Sequence, residues 1–195
     1  MNKIENENYK KMINCEVYDP SDNFLKKTRD KTHKLFYKYN THLTGKRKRI
    51  LDKLIPQNNN VYLEGPIYID YGINTSFGKN CYANFNLTIL DTCLVTIGDN
   101  VFIGPNVSIV TSLHPLKKDE RRMYVNDKGI LTDREMGKPI NIENDVWICS
   151  NVVICGGVTI GSGTVIGAGS VVTKDIPENV FAAGNPCKVI KKIDC

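Results

Sequence analysis

Ile142-Glu143-Asn144-Asp145-Val146-Trp147-Ile148-Cys149-Ser150-Asn151-Val152-Val153-Ile154-Cys155-Gly156-Gly157-Val158-Thr159-Ile160-Gly161-Ser162-Gly163-Thr164-Val165-Ile166-Gly167-Ala168-Gly169-Ser170-Val171-Val172 decides the architecture. Ile142, Ile148, Ile154, Ile160, Ile166 and Val172 recur at every sixth residue. Four residues after each stands a small or branched residue: Val146, Val152, Val158, Thr164, Ser170 and Ile176. A period of six fits neither an α-helix nor a flat two-sided strand. It is the mark of hexapeptide repeats wound into a parallel β-helix, in which a short strand forms each side and the branched residue points inward. Gly161, Gly163, Gly167 and Gly169 suit the tight corners, which favour positive φ. Stacked coils bury each other's columns of Ile and Val, so stability is a sum over neighbours and both ends need covers.

Upstream, Val61, Ile67, Ile73, Phe85, Ile97, Ile103 and Ile109 keep a six-residue phase of their own, broken at Lys79 and Asp91. The phase resumes at Ile142, 33 residues after Ile109, which is not a multiple of six. The segment 111–139 is charged and nearly aperiodic, and reads as an excursion over the surface, where functional loops concentrate. Residues 1–60 read as a helical cap. Phe24, Leu25, Thr28, Leu35, Phe36 and Tyr39 repeat at helical spacing, with Ser21 or Asp22 as N-cap. Gly45 punctuates, a second helix runs to about Ile55, and Pro56–Asn60 is a polar breaker. The fold expected is mainly β, a β-helix over 61–195 with a basic C-terminal tail, behind that cap.

Composition narrows the partners. No apolar run is long enough to span a membrane, and the polar start lacks the apolar centre of a secretory signal. Seven cysteines, an odd number with no C-x-x-C pair, argue for reduced thiols in the cytoplasm. The net charge of +5 is modest. The run Lys46-Arg47-Lys48-Arg49 adjoins Ile50, Leu51 and Leu54, so it reads as a solvated helix face rather than a nucleic-acid patch.

The ordered set Tyr82-Ala83-Asn84-Phe85-Asn86, Val95 through Val107, His114-Pro115, Gly137-Lys138-Pro139-Ile140, Asp145-Val146-Trp147-Ile148, Gly157 through Gly161, Val171 through Pro177 and Gly184-Asn185-Pro186 resembles the maltose/galactoside O-acetyltransferase family. Val17-Tyr18-Asp19-Pro20-Ser21-Asp22 followed by helices resembles that family's cap. The resemblance spans almost the whole chain. It implies a left-handed parallel β-helix, a homotrimer with sites between subunits, and acetyl transfer from acetyl-CoA to a sugar hydroxyl, with no metal.

The same resemblance assigns residues. His114 matches the catalytic base, and an imidazole has the pKa for activating an alcohol. Direct attack on the thioester, with no acyl-enzyme, is expected. Asp70 and Asn84 match acceptor positions, where short polar side chains suit sugar hydroxyls. Asp19, or Asp22, adds a carboxylate from the cap. Asp91 stands at an inward slot, where a carboxylate is costly without partners; it either faces the acceptor or is turned to solvent by a bulge. Trp147, Ser150 and Ala168 match the acetyl-CoA channel, with a main-chain N–H near Cys149-Ser150 as oxyanion donor. Thr173, Lys174, Lys188 and Lys191 match the nucleotide end of CoA, whose phosphates need cations. His33 and His42 fall in the cap and read as bland. The excursion exceeds that of typical relatives around Tyr124–Thr132, and such loops reach a neighbouring subunit's site, so acceptor specificity is where this chain departs.

Three other readings use the same residues. One is acetylation of another hydroxylated acceptor, such as an antibiotic or serine. A zinc hydratase on the same coil needs three imidazoles, and only His114 lies beside the coils. A non-catalytic scaffold requires His114 to be dispensable.

Overall fold

The computed structural model describes residues 5–42 and 46–194; the break expected at Gly45 lies outside them. Short parallel strands stack into a prism with three faces. The first face carries Tyr62–Leu63, Tyr82–Ala83, Phe102–Ile103, Trp147–Ile148, Val165–Ile166 and Val180–Ala183, closed by the antiparallel Lys188–Lys192. The second carries Ile67–Ile69, Leu87–Leu90, Ser108–Val110, Val153–Cys155 and Val171–Val172. The third carries Thr75–Phe77, Val95–Ile97, Ile140–Ile142 and Thr159–Ile160. The chain is a left-handed parallel β-helix of the hexapeptide type.

The inward columns are the expected ones downstream. Ile109, Ile154 and Val172 pair in register, as do Ile103, Ile148 and Ile166, and all are buried. Each such Ile or Val contributes about 1.5–3 kcal/mol by leaving water. Upstream of Ile97 the expected phase is off by two residues. Phe77 pairs with Ile97, Ala83 with Ile103 and Ile89 with Ile109, a spacing of twenty rather than eighteen. The extra residues swell the corners at 70–74 and 90–94. The inward residues are therefore Leu63, Ile69, Phe77, Ala83 and Ile89, while Phe85 and Lys79 are exposed.

Asparagine shapes two of the three corners. Asn80, Asn100 and Asp145 on one corner, and Asn86, Asn106 and Asn151 on another, all have φ between 57° and 61°. Asx residues tolerate that left-handed region because their short side chains bond locally. Here they also bond along the stack: Asn100 Nδ2 donates to Asp145 Oδ1 at 2.9 Å, and Asn86 Nδ2 to Asn106 Oδ1 at 2.9 Å. Lower down, Gly163 and Gly169 take over the same positions with φ of 68° and 72°.

Three helices form the cap: α1 (Glu7–Ile13), which lies beside the corners at Asn74 and Cys93, α2 (Asn23–Thr41) and α3 (Arg47–Leu54). The Asp22 carboxylate caps α2 by accepting from Phe24 N and Leu25 N. Helix α1 was not legible from the pattern; Asn6 caps it, and it buries Tyr9 and Met12. Helix α2 is bolted to the coil by Asn40, which bonds both the N–H and the C=O of Ile67 at 2.8 Å. The basic run is less solvated than expected, because Arg47 docks α3 by donating to Glu64 O at 3.0 Å and lying over the Tyr39 ring.

The excursion is ordered. Ser112–Leu113 pairs antiparallel with Met136–Gly137. Gly137 is required there, because a Cβ would sit 2.7 Å from the Cys93 Cβ. Between them lie a short helix, α4 (Lys118–Arg121), and a hairpin pairing Tyr124–Val125 with Leu131–Thr132. The hairpin packs on this chain's own cap. Thr132 Oγ1 donates to Asp19 Oδ1 and Asn126 Nδ2 to Asp19 Oδ2, both at 2.8 Å.

Candidate active site

His114 follows the strand pair that opens the excursion, with its side chain half exposed. Its Nδ1 lies 3.3 Å from the Arg134 carbonyl and 3.4 Å from Asp133 Oδ2. Both partners only accept, which assigns the proton to Nδ1 and leaves the lone pair on Nε2. The ring opens on a cleft of about 520 Å³ lined from the cap by Arg29 and His33, from the coil by Asp70, and from the excursion by Met123, Leu131 and Glu135.

The electrostatics of the cleft are mixed. His33 Nε2 meets Asp70 Oδ1 at 3.3 Å across from His114. Burial raises the Asp70 carboxyl, while Arg29 and His33 pull it back. Arg29 bonds the Tyr71 hydroxyl and donates to Pro20 O at 2.9 Å, so it ties cap to coil. Glu135 is also pushed up by burial; it accepts from Tyr18 Oη at 2.5 Å.

His114 and Asp70, expected together, do meet in this cleft. His33 was read as bland and instead forms part of the wall. Arg29, Asp133 and Glu135 carried no sequence signal, because only the packing of cap, coil and excursion brings them together. His42 is remote, its Nδ1 against Lys38 O at the end of α2.

Two expected acceptor ligands are engaged elsewhere. Asp91 is neither in an inward column nor at the solvent: it has no exposed surface, and its carboxylate accepts from Tyr71 N at 2.7 Å, Asn74 N at 3.3 Å and Thr75 Oγ1 at 3.0 Å. It ties the two swollen corners together. Asp19 accepts from Ser21 N, Thr132 Oγ1 and Asn126 Nδ2, and is a tether for the hairpin. Asn84 Oδ1 accepts from Phe85 N at 2.8 Å at the far edge of the first face.

The remaining residues divide by corner. Asp70, His114, Thr173 and Lys174 follow strands of the second face, at the corners or excursion leading to the third. Asn84, Ser150 and Ala168 lie at the corners leading from the first face to the second, and Trp147 is exposed on the first face between Phe102 and Val165. Ser150 and Ala168 occupy stacked corners, Gly169 N donating to Ser150 O at 2.9 Å. Lys188 and Lys191 are exposed on the strand beside Val180–Ala183. The width of the second face separates the two groups on one chain. Among the described residues no group of three or more His, Cys, Asp or Glu could hold a metal.

Residues 139–174 match the model of the bacterial transferase hexapeptide (six repeats), and residues 11–57 match the maltose acetyltransferase hexapeptide capping motif. The galactoside O-acetyltransferase of Escherichia coli K12 is 48% identical, covering 87% of this chain and 80% of that protein. The chain belongs to the maltose/galactoside O-acetyltransferase family. A maltose O-acetyltransferase structure from Clostridium difficile 630 superposes with a TM-score of 0.85 at 42% identity, covering 95% of this chain and 96% of that one. A galactoside acetyltransferase in complex with coenzyme A gives 0.85 at 40% identity, covering 97% and 92%. These family members share cap and coils alike with this chain, so the cleft between cap, coil and excursion is built on a shared frame.

Proposed function

We propose that this protein transfers acetyl from acetyl-CoA to a hydroxyl of a sugar, with His114 as general base. The observation that carries the reading is the anchored Nδ1 of His114 above a polar cleft, in a chain of this family. The hydroxyl gives its proton to Nε2 as its oxygen attacks the thioester carbonyl. The C–S bond then breaks, and the CoA thiolate takes the proton back from the imidazolium, which the Arg134 carbonyl and Asp133 stabilise. Asp70 and His33 offer an acceptor and a donor to neighbouring hydroxyls. Cys149 N–H is already given to Ile166 O at 2.9 Å, which leaves Ser150 N–H as the oxyanion donor.

Trp147, Ser150 and Ala168 would flank the pantetheine arm, with Thr173, Lys174, Lys188 and Lys191 at its phosphates. The separation of these residues across the second face supports a site completed by a neighbouring subunit, in a homotrimer, where Trp147 and Asn84 of one copy approach His114 of the next. The six cysteines among the described residues are all unpaired, which suits a cytoplasmic enzyme using the cell's acetyl-CoA.

The test is release of CoA thiol in the presence of maltose, glucose and galactosides, with chloramphenicol and serine as parallel arms. Sugar-dependent release with a mass gain of one acetyl group on the sugar is the expected result. Release with chloramphenicol or serine alone would replace the sugar by another acceptor.

A further inference from the structure

Two cysteines meet where the cap touches the coil. Cys15 stands in the turn after α1, and Cys93 in the swollen corner at 90–94. Cys93 is buried, and its Sγ lies 3.5 Å from the Ile13 carbonyl. The Cys15 thiol hydrogen-bonds the Cys93 thiol, and Cys15 is open to solvent. The backbone fixes the turn that presents Cys15. Glu16 N donates to Lys11 O at 2.9 Å, which puts Cys15, with φ of 63°, at the left-handed position where such helix ends usually carry glycine. A cysteine there sets one reactive sulfur at the surface, in contact with a covered one. Both residues adjoin the frame of the candidate site. Cys93 N donates to Thr111 Oγ1 at 2.8 Å and its Cβ packs on Gly137, so Cys93 touches both roots of the excursion. Three residues beyond Cys15, Tyr18 N donates to Glu135 O at 3.0 Å.

We propose that Cys15 and Cys93 form a thiol-modification site, at which a small disulfide such as glutathione disulfide closes a reversible covalent bond between cap and coil. The Cys15 thiolate attacks one sulfur of the glutathione disulfide. One glutathione leaves as its thiolate, and the other stays on Cys15 as a mixed disulfide. Cys93 then loses its proton to water and attacks the Cys15 sulfur, and the second glutathione leaves. The two cysteines are oxidised by two electrons, and one glutathione disulfide is reduced to two thiols. The order of the steps follows from access. Burial pushes the Cys93 thiol up to about 11, although the Leu94 N–H pulls it down, so Cys93 stays protonated and reacts second. The two sulfurs already touch, which is the proximity a disulfide requires. A reducing compartment returns the pair to thiols, the state the structure shows.

The experiment treats the full chain with glutathione disulfide, blocks the remaining thiols by alkylation, and maps the peptides by mass spectrometry. The expected product is a peptide pair joining Cys15 to Cys93, lighter by two hydrogens and split by dithiothreitol. Cys93→Ser stops at the glutathione adduct on Cys15. In the wild type, closure speeds up roughly tenfold per pH unit between about pH 7 and 9, as the thiolate fraction of Cys93 grows. Closing the ring between positions 15 and 93 also raises the denaturant midpoint of the oxidised wild type, and dithiothreitol reverses the rise. Cys15→Ser treated in the same way shows no such rise. A wild-type Cys15 that keeps its glutathione, that pairs with a cysteine other than Cys93, or that stays unreacted overturns the inference. None of these readings depends on acetyl transfer.

Discussion

Asp91 shows how one residue's surroundings decide its work. Burial pushes its carboxyl up to about 7, against the bonds from Tyr71, Gly72 and Thr75 that pull it down. Tyr71 and Asn74 belong to a swollen corner and Thr75 opens the strand that follows it, so Asp91 organises the coil rather than the acceptor. Asp91→Ala orphans several buried donors at about 1–3 kcal/mol each; a fall in unfolding free energy of about 3 kcal/mol or more is expected by denaturant titration, with KM for the acceptor unchanged in the folded fraction. A selective rise in KM at unchanged stability would contradict this. The pH dependence follows from the raised value. The native state resists ionising Asp91, so the penalty is absent well below the ordinary carboxylate range and complete above about pH 7. Asp91→Asn removes that titration. The stability advantage of the wild type over Asp91→Asn is therefore greatest below the ordinary carboxylate range and shrinks as pH rises to about 7.

At the scale of elements, the hairpin is set by its tether more than by its own strands. Asp19 is held below the usual carboxylate range by its hydrogen bonds from Ser21, Asn126 and Thr132, despite a burial cost that acts the other way. Asp19→Ala frees the hairpin, and the expected outcome is a rise in acceptor KM of roughly tenfold with little change in KM for acetyl-CoA, read by steady-state kinetics. Equal changes in both constants would argue that Asp19 supports the whole cap. The coil was legible because six-residue periodicity is imposed by column packing, and Ile142 to Val172 obey it without interruption. Upstream, two extra residues per coil displaced the apparent phase, and Ile67 and Val61 disguised this because they are buried beside the true column residues Ile69 and Leu63. Asp91 was then misread as an inward residue. Helix α1 left no trace in the pattern because seven residues give too short a periodicity. His114 and Asp70 were legible through family resemblance. Arg29, His33 and Glu135 were not, since the cap's docking on the coil is a tertiary fact with no local signature.

For the whole molecule, the site residues lie on two edges of one prism, and the proposed assembly brings edges of different copies together. Co-expression of His114→Ala with Trp147→Ala, each carrying its own tag, tests this. In a three-membered ring that contains both variants, one interface in three has both residues intact. Roughly a third of wild-type activity is expected in oligomers purified through both tags, from parents that are each nearly inactive. No recovery in such mixed oligomers would mean that each chain holds a complete site.

The central claim is that the anchored imidazole of His114 takes the acceptor's proton. The direct measurement is sugar-dependent CoA release by His114→Ala against wild type, with circular dichroism to confirm the retained coil. The account predicts a fall in kcat of roughly 10²–10⁴-fold with the fold intact. Turnover within a few-fold of wild type would contradict it.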